Sequence, residues 1–206
     1  MTGVQTCALP ISVSWCTWKH PYDIRFDSRR AAPPGPLYYQ RKMHIMAIFK
    51  VSERIPIELA KSRPLYLGAL LYLGFENAQV FKSSFDRTTV NYYQLARAAI
   101  EAMGVDDQLL FTKLDVSIWR SGEDVNLVNA FLIKSSLDYD SLIRAIVRNH
   151  CATKEDWTTL VFLALTFGWD AILASQSMSR FIVMTHDSEL MASSQETMDQ
   201  LQSVFW

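Results

Sequence analysis

The stretch that most constrains what this chain can fold into is Asp156 to Gln176, DWTTLVFLALTFGWDAILASQ, its most apolar segment. Thr153 offers an N-cap hydroxyl with Asp156 three positions on, a variant of the capping box. Trp157, Leu160, Val161, Ala164, Phe167 and Gly168 then recur at helical spacing, and most intervening residues are apolar too. A helix that is greasy on nearly every side has to be buried by protein or by lipid. The run from Leu160 to Trp169 falls far short of the roughly 18 residues that argue for a membrane span, and Asp170 closes it. The expectation is a central core helix over residues 156–176, with the rest of the chain packed around it.

Composition supports a sizeable core. Half of the 206 residues are hydrophobic, with seven Gly and seven Pro, which is not a disordered composition. Charge is unevenly spread. Residues 12–50 carry seven basic side chains against two acidic, while residues 51–206 carry 13 against 19, so the arm is about +5 and the body about −6. Cys7, Cys16 and Cys151 show no framework spacing, which favours a reducing, cytoplasmic compartment without disulfides.

Taken in order, Met1–Ile11 (MTGVQTCALPI) is similar to the translation of a sequencing-library adapter and is set aside from fold reasoning. Residues 12–42 are irregular, mix aromatic with basic residues, and contain AAPPGP, which forbids a helix there. Residues 43–206 read as one helical domain, with QLQSVFW suggesting a C-terminal truncation. Pro64 suits a first helical turn before LYLGALLYLGFENAQVF, and Thr88 or Thr89 can cap a helix that Gly104 closes. Asp106, Ser121 and Asp138 each open a further predicted helix. SRFIVMT reads as a helix turn or a short strand, and Ser193 with Glu196 caps the last helix. The predicted fold class is therefore all-α, a globular helical bundle around the buried central helix.

No catalytic residue, metal ligand set or cofactor is predicted. The chain has no Gly-rich phosphate loop, GxSxG or HExxH, and its four histidines lack partners at metal-ligand spacing. Cys151 beside His150 reads as a buried structural thiol, since free cysteine is among the most buried residue types.

Several short pieces resemble the Bcl-2 family of apoptosis regulators. Leu67-Gly68-Ala69-Leu70-Leu71 with Gly74-Phe75 is similar to a first-helix run of that family. Leu114, Ile118, Gly122, Glu123 and Asp124 resemble its BH3 pattern, and Asp156-Trp157 with Phe167-Gly168 resembles the start of its buried central helix. Gly168-Trp169-Asp170-Ala171 spells a further family motif. The resemblance implies a non-enzymatic regulator that accepts or presents an amphipathic helix of a partner protein. The partner-binding residues it implies are Leu114, Ile118, Gly122, Asp124 and Trp157. An alternative from another class is a fragment of an RNA-virus nucleoprotein or coat protein. It would self-assemble and bind single-stranded RNA, with Arg144, Arg148 and Lys154 neutralising phosphate beside the basic arm.

Overall fold

The computed structural model describes residues 47–56, 58, 64–104, 108–115 and 125–205. Their centre is a sheet of seven strands: β1 (Phe49–Arg54), β2 (Phe81–Ser84), β3 (Leu109–Lys113), β4 (Ala145–Asn149), β5 (Ala171–Ser175), β6 (Phe181–Met184) and β7 (Glu189–Ala192). The strand order is β1-β4-β3-β5-β6-β7-β2, and every pairing of neighbouring strands is antiparallel. The helices are α1 (Leu65–Tyr72), α2 (Tyr92–Met103), α3 (Val125–Ser135), α4 (Tyr139–Leu142), α5 (Lys154–Thr166) and α6 (Gln195–Gln202). This mixed α/β sheet corrects the all-α bundle expected from the sequence.

The correction has a physical reason. LLFTK of β3, AILAS of β5 and FIVM of β6 are buried at every position. A strand covered on both faces loses the alternation that marks it, so a short apolar run cannot be told from part of a helix by period. The segments expected to be helical after Asp106 and Asp138 therefore contain β3 and β4.

The central helix is likewise shorter than expected. α5 starts at the Thr153 cap with a full capping box: the Thr153 hydroxyl accepts from the Asp156 N–H, and Asp156 accepts from the Thr153 N–H at 3.1 Å. It stops at Thr166. Gly168 takes φ 59°, its N–H donates to the Leu165 carbonyl, and the Trp169 N–H donates to Ala164 at 2.8 Å. That is a Schellman stop, for which glycine suits the left-handed position. Residues 171–175 then run back as a strand. α1 ends in the same way: Gly74 sits at φ 94°, and the Phe75 N–H donates to Leu70 at 2.9 Å. The Gly74-Phe75 and Gly168-Trp169 pairs are thus helix stops, each followed by an aromatic that buries itself.

The two faces of the sheet are covered unequally. On one, α2, α3, α5 and α6 pack over Phe111, Val147, Leu173 and Ile182, with Trp157 meeting the Phe49 ring edge-on at 4.8 Å. On the other, α1 is the one helix among the described residues, and Ala69, Leu70 and the C-cap Leu73 lie over Leu110, Ile172, Val183 and Met191. An eight-residue helix is about 12 Å long, whereas seven strands span nearly 30 Å. The edges are blunted. β1 carries a register shift between Val51 and Glu53 and exposes Lys50, Glu53 and Arg54, and β2 has only four residues. Among the described residues no helix is long and apolar enough to cross a membrane.

Candidate functional site

The richest gathering of titratable side chains lies where β5 begins and β6 ends. The Schellman turn at Gly168 delivers Asp170 to the head of β5, where its carbonyl accepts from the Leu114 N–H at 2.7 Å. β6 and β7 are joined by a tight turn in which the Thr185 N–H donates to Glu189 and the Ser188 N–H donates to Thr185. That turn places His186 against Asp170. The His186 N–H donates to Asp170 Oδ1 at 2.8 Å, and ring Nδ1 lies 2.9 and 3.1 Å from the two carboxylate oxygens. The other ring nitrogen lies 3.4 Å from Asp187 Oδ1.

The hydrogen bond and charge of Asp170 hold the His186 imidazole above its ordinary pKa; partial burial opposes this, and Asp187 and Asp115 add to it. With Asp170 bonded to one ring nitrogen and Asp187 near the other, the arrangement favours the charged imidazolium. It suits holding a charge more than withdrawing a proton. Arg87 fastens the same turn from below: its Nε donates to Ser188 Oγ at 2.6 Å and its Nη2 to the His186 carbonyl. The guanidinium also lies 3.2 Å from where a Cβ on Gly168 would sit.

Behind this cluster stands a wholly buried cation. Lys113, at the end of β3, is 0% exposed, and its Nζ donates to the Asp115 carbonyl at 2.5 Å and to Asp115 Oδ1 at 2.9 Å. The ammonium lies 5.4 Å from the Trp169 ring centroid and 5.6 Å from that of Tyr139. A buried charge needs such partners. Among the described residues, no group of three or more His, Cys, Asp or Glu side chains is placed to hold a metal.

On the sheet's thinly covered face this corner opens into a cleft of about 190 Å³. Leu65, Leu114, Val183 and Met191 make its apolar wall, and Lys82, Asp170, His186, Asp187 and Glu189 stand around it.

The residues singled out from sequence scatter. Leu114 lines the cleft, while Trp157 is buried in the core cluster on the opposite face. Ile118, Gly122 and Asp124 lie outside the described residues. Arg144 precedes β4 at φ 55°, with its N–H on the Lys113 carbonyl and its Nε buried without a hydrogen-bond partner among the described residues. Arg148 donates to Ser52 Oγ at 3.1 Å and lies 3.9 Å from Glu53. Lys154, at the start of α5, is 2.9 Å from Glu101. The three cations are not gathered on one surface strip, and two already have carboxylate partners. Cys151 is exposed, its thiol donating to the Ala47 carbonyl at 3.2 Å, which corrects the expectation of burial.

Sequence reasoning missed His186, Asp170 and Lys113. His186 and Asp170 are 16 positions apart in different elements, and only the antiparallel return of β6 along β5 joins them.

A second surface stands on α3. Its inner side buries Val128, Phe131 and Leu132, yet its outer side exposes Leu127 (54%), Ala130 and Ile133 (71%). Lys134 ties this helix to the head of α5 through Asp156 at 3.1 Å.

Comparison with protein-family models, with curated proteins and with solved structures returned no match for the chain.

Proposed function

We propose that the chain is a non-enzymatic protein–protein interaction domain that presents the outer face of α3 to a partner. The observation that carries this reading is the exposure of Leu127 and Ile133 on one helix face, with exposed Ala130 between them. Residues three apart lie on the same side of a helix, so these form one apolar strip. The opposite side already anchors α3 to the sheet through Val128, Phe131 and Leu132. The outer strip is therefore spare, and an apolar helix face laid into a partner's groove is a common recognition mode. This keeps the presenting half of what the family resemblance implied and sets it on a mixed α/β scaffold. RNA binding has less support, since Arg148 and Lys154 are tied to Glu53 and Glu101.

The test is the double variant Leu127→Lys with Ile133→Lys. Both side chains point outward, so the thermal midpoint should stay close to the parent's. Affinity capture from cell extract with parent and variant side by side should retain at least one protein on the parent alone. Identical sets of captured proteins would overturn the reading.

A further inference from the structure

The cleft under α1 lies at the ends of β6 and β7, on the face where, among the described residues, α1 is the one covering helix. Its floor is closed by Leu114 after β3, Val183 of β6 and Met191 of β7, all buried, and its accessible apolar wall is Leu65 and Tyr66 of α1. Its rim carries three carboxylates, from Asp170, Asp187 and Glu189. These are not equivalent. Both Asp170 oxygens are occupied by His186, and the 73% exposed Asp187 lies 3.4 Å from the far ring nitrogen. The half-buried Glu189 carboxylate makes no hydrogen bond or ion pair among the described residues, and its strand contacts are all through the backbone. Lys82 does not neutralise it. The Lys82 ammonium lies 5.9 Å from the Tyr66 ring centroid and forms no ion pair there. At about 190 Å³ the cleft is smaller than the roughly 300–1,000 Å³ of a typical small-molecule pocket and suits a single long side chain.

We infer that this cleft receives the arginine or lysine side chain of a partner polypeptide, its alkyl stem against Leu65 and Tyr66 and its cationic head on Glu189. A long basic side chain is the residue that matches an apolar wall ending in the free carboxylate of Glu189, because its methylenes bury while its head keeps a polar partner. Long-range charge agrees. Residues 51–206 carry 13 basic against 19 acidic side chains, a net of −6, which steers a basic segment toward the body. The surface is separate from α3, so the two assignments stand or fall independently.

The experiment is an amide-resolved NMR titration of the isotope-labelled full chain with short peptides differing at one position: arginine, its uncharged isostere citrulline, or glutamate. The arginine peptide should move resonances of residues 65–66, 82 and 183–191, and the other two should not. Glu189→Gln should weaken arginine binding by roughly tenfold or more, as expected for a charge-assisted hydrogen bond. Lys82→Ala should strengthen it by removing a like charge, and Glu196→Gln, an exposed acid on α6, should change nothing. Equal binding of the citrulline peptide would overturn the inference. So would shifts spread over the whole acidic surface, or a Glu189→Gln variant that binds like the parent. A folded parent spectrum that no peptide perturbs would overturn it equally, while leaving the α3 reading untouched.

Discussion

Lys113 offers the sharpest test of how the sheet's charged corner is held. Its side chain is fully buried, its ammonium is bonded to the Asp115 carbonyl and carboxylate, and its flank lies between the Trp169 and Tyr139 rings. Replacement by alanine removes three buried methylenes, worth about 2.4 kcal/mol at roughly 0.8 kcal/mol each. The cavity left between two aromatic rings adds to this, so the total loss should reach about 3–5 kcal/mol. The ion pair contributes less than its geometry suggests. Asp115 is 24% exposed, so its carboxylate can rehydrate when Lys113 is replaced and escapes most of the cost of a stranded buried charge. Methionine keeps the reach of the lysine stem and adds sulfur–aromatic contact. Lys113→Met should therefore cost no more than about 1 kcal/mol, several-fold less than Lys113→Ala. Urea unfolding of parent and both variants, compared at equal m-values, decides between them. If methionine falls as far as alanine, the ammonium and not the packed stem is what the corner depends on, and the reasoning is refuted.

Other expected outcomes follow from geometry already described. Gly168→Ala should cost about 1–2 kcal/mol, because φ 59° disfavours a Cβ and Arg87 Nη2 lies 3.2 Å from its position; an unchanged urea midpoint would mean the turn relaxes freely. Thr153→Ala should cost about 1 kcal/mol through loss of the α5 cap, read from the same unfolding curve. Burial raises the Asp156 carboxyl pKa, but hydrogen bonds from Thr153 and Lys134 outweigh this and leave it below its ordinary 3.8. Its contribution is thus present above that value and lost as pH falls through the lower folded pKa, a loss that Asp156→Asn should abolish in acid titrations. His186 has the opposite sign. Its pKa is raised above 6.5 by Asp170, so its contribution is full below 6.5 and fades as pH rises through the folded value. NMR titration of the ring should show that raised midpoint, and Asp170→Asn should lower it.

What sequence could and could not reveal divides along physical lines. The start of α5 is legible because a capping box is local: Thr153 and Asp156 bond to each other whatever the rest of the chain does. The stop at Gly104 after α2 is legible for the same reason, although the cap that starts this helix is Asn91, not Thr88 or Thr89. The strands were hidden by their burial. Leu109–Lys113 and Ala171–Ser175 sit in the middle of the sheet with helices over both faces, so even their polar Thr112, Lys113 and Ser175 are buried and mark no outer side. Gly168 was readable as a terminator only by weighing a left-handed glycine above the apolar run on either side of it. The cleft could not be read at all, since Leu114, Asp170, His186 and Glu189 belong to different strand ends that only the tertiary pairing assembles.

The strand order also sets a timetable for the chain as it is made. The first two strands in sequence stand at opposite borders of the sheet, and each waits for a partner about a hundred positions downstream: Phe49 for Asn149 and Phe81 for Ala192. At synthesis rates of roughly 5–20 residues per second, β1 and β2 remain unpaired for about 5–20 s after they emerge. By contrast β5, β6 and β7 are consecutive neighbours and can zip together as soon as they appear. The nascent chain thus holds its two outermost strands open while the middle is still being written. The bulge and charges of β1 and the brevity of β2, which blunt the edges of the finished sheet, also shield the chain from its own ribosomal neighbours during that wait.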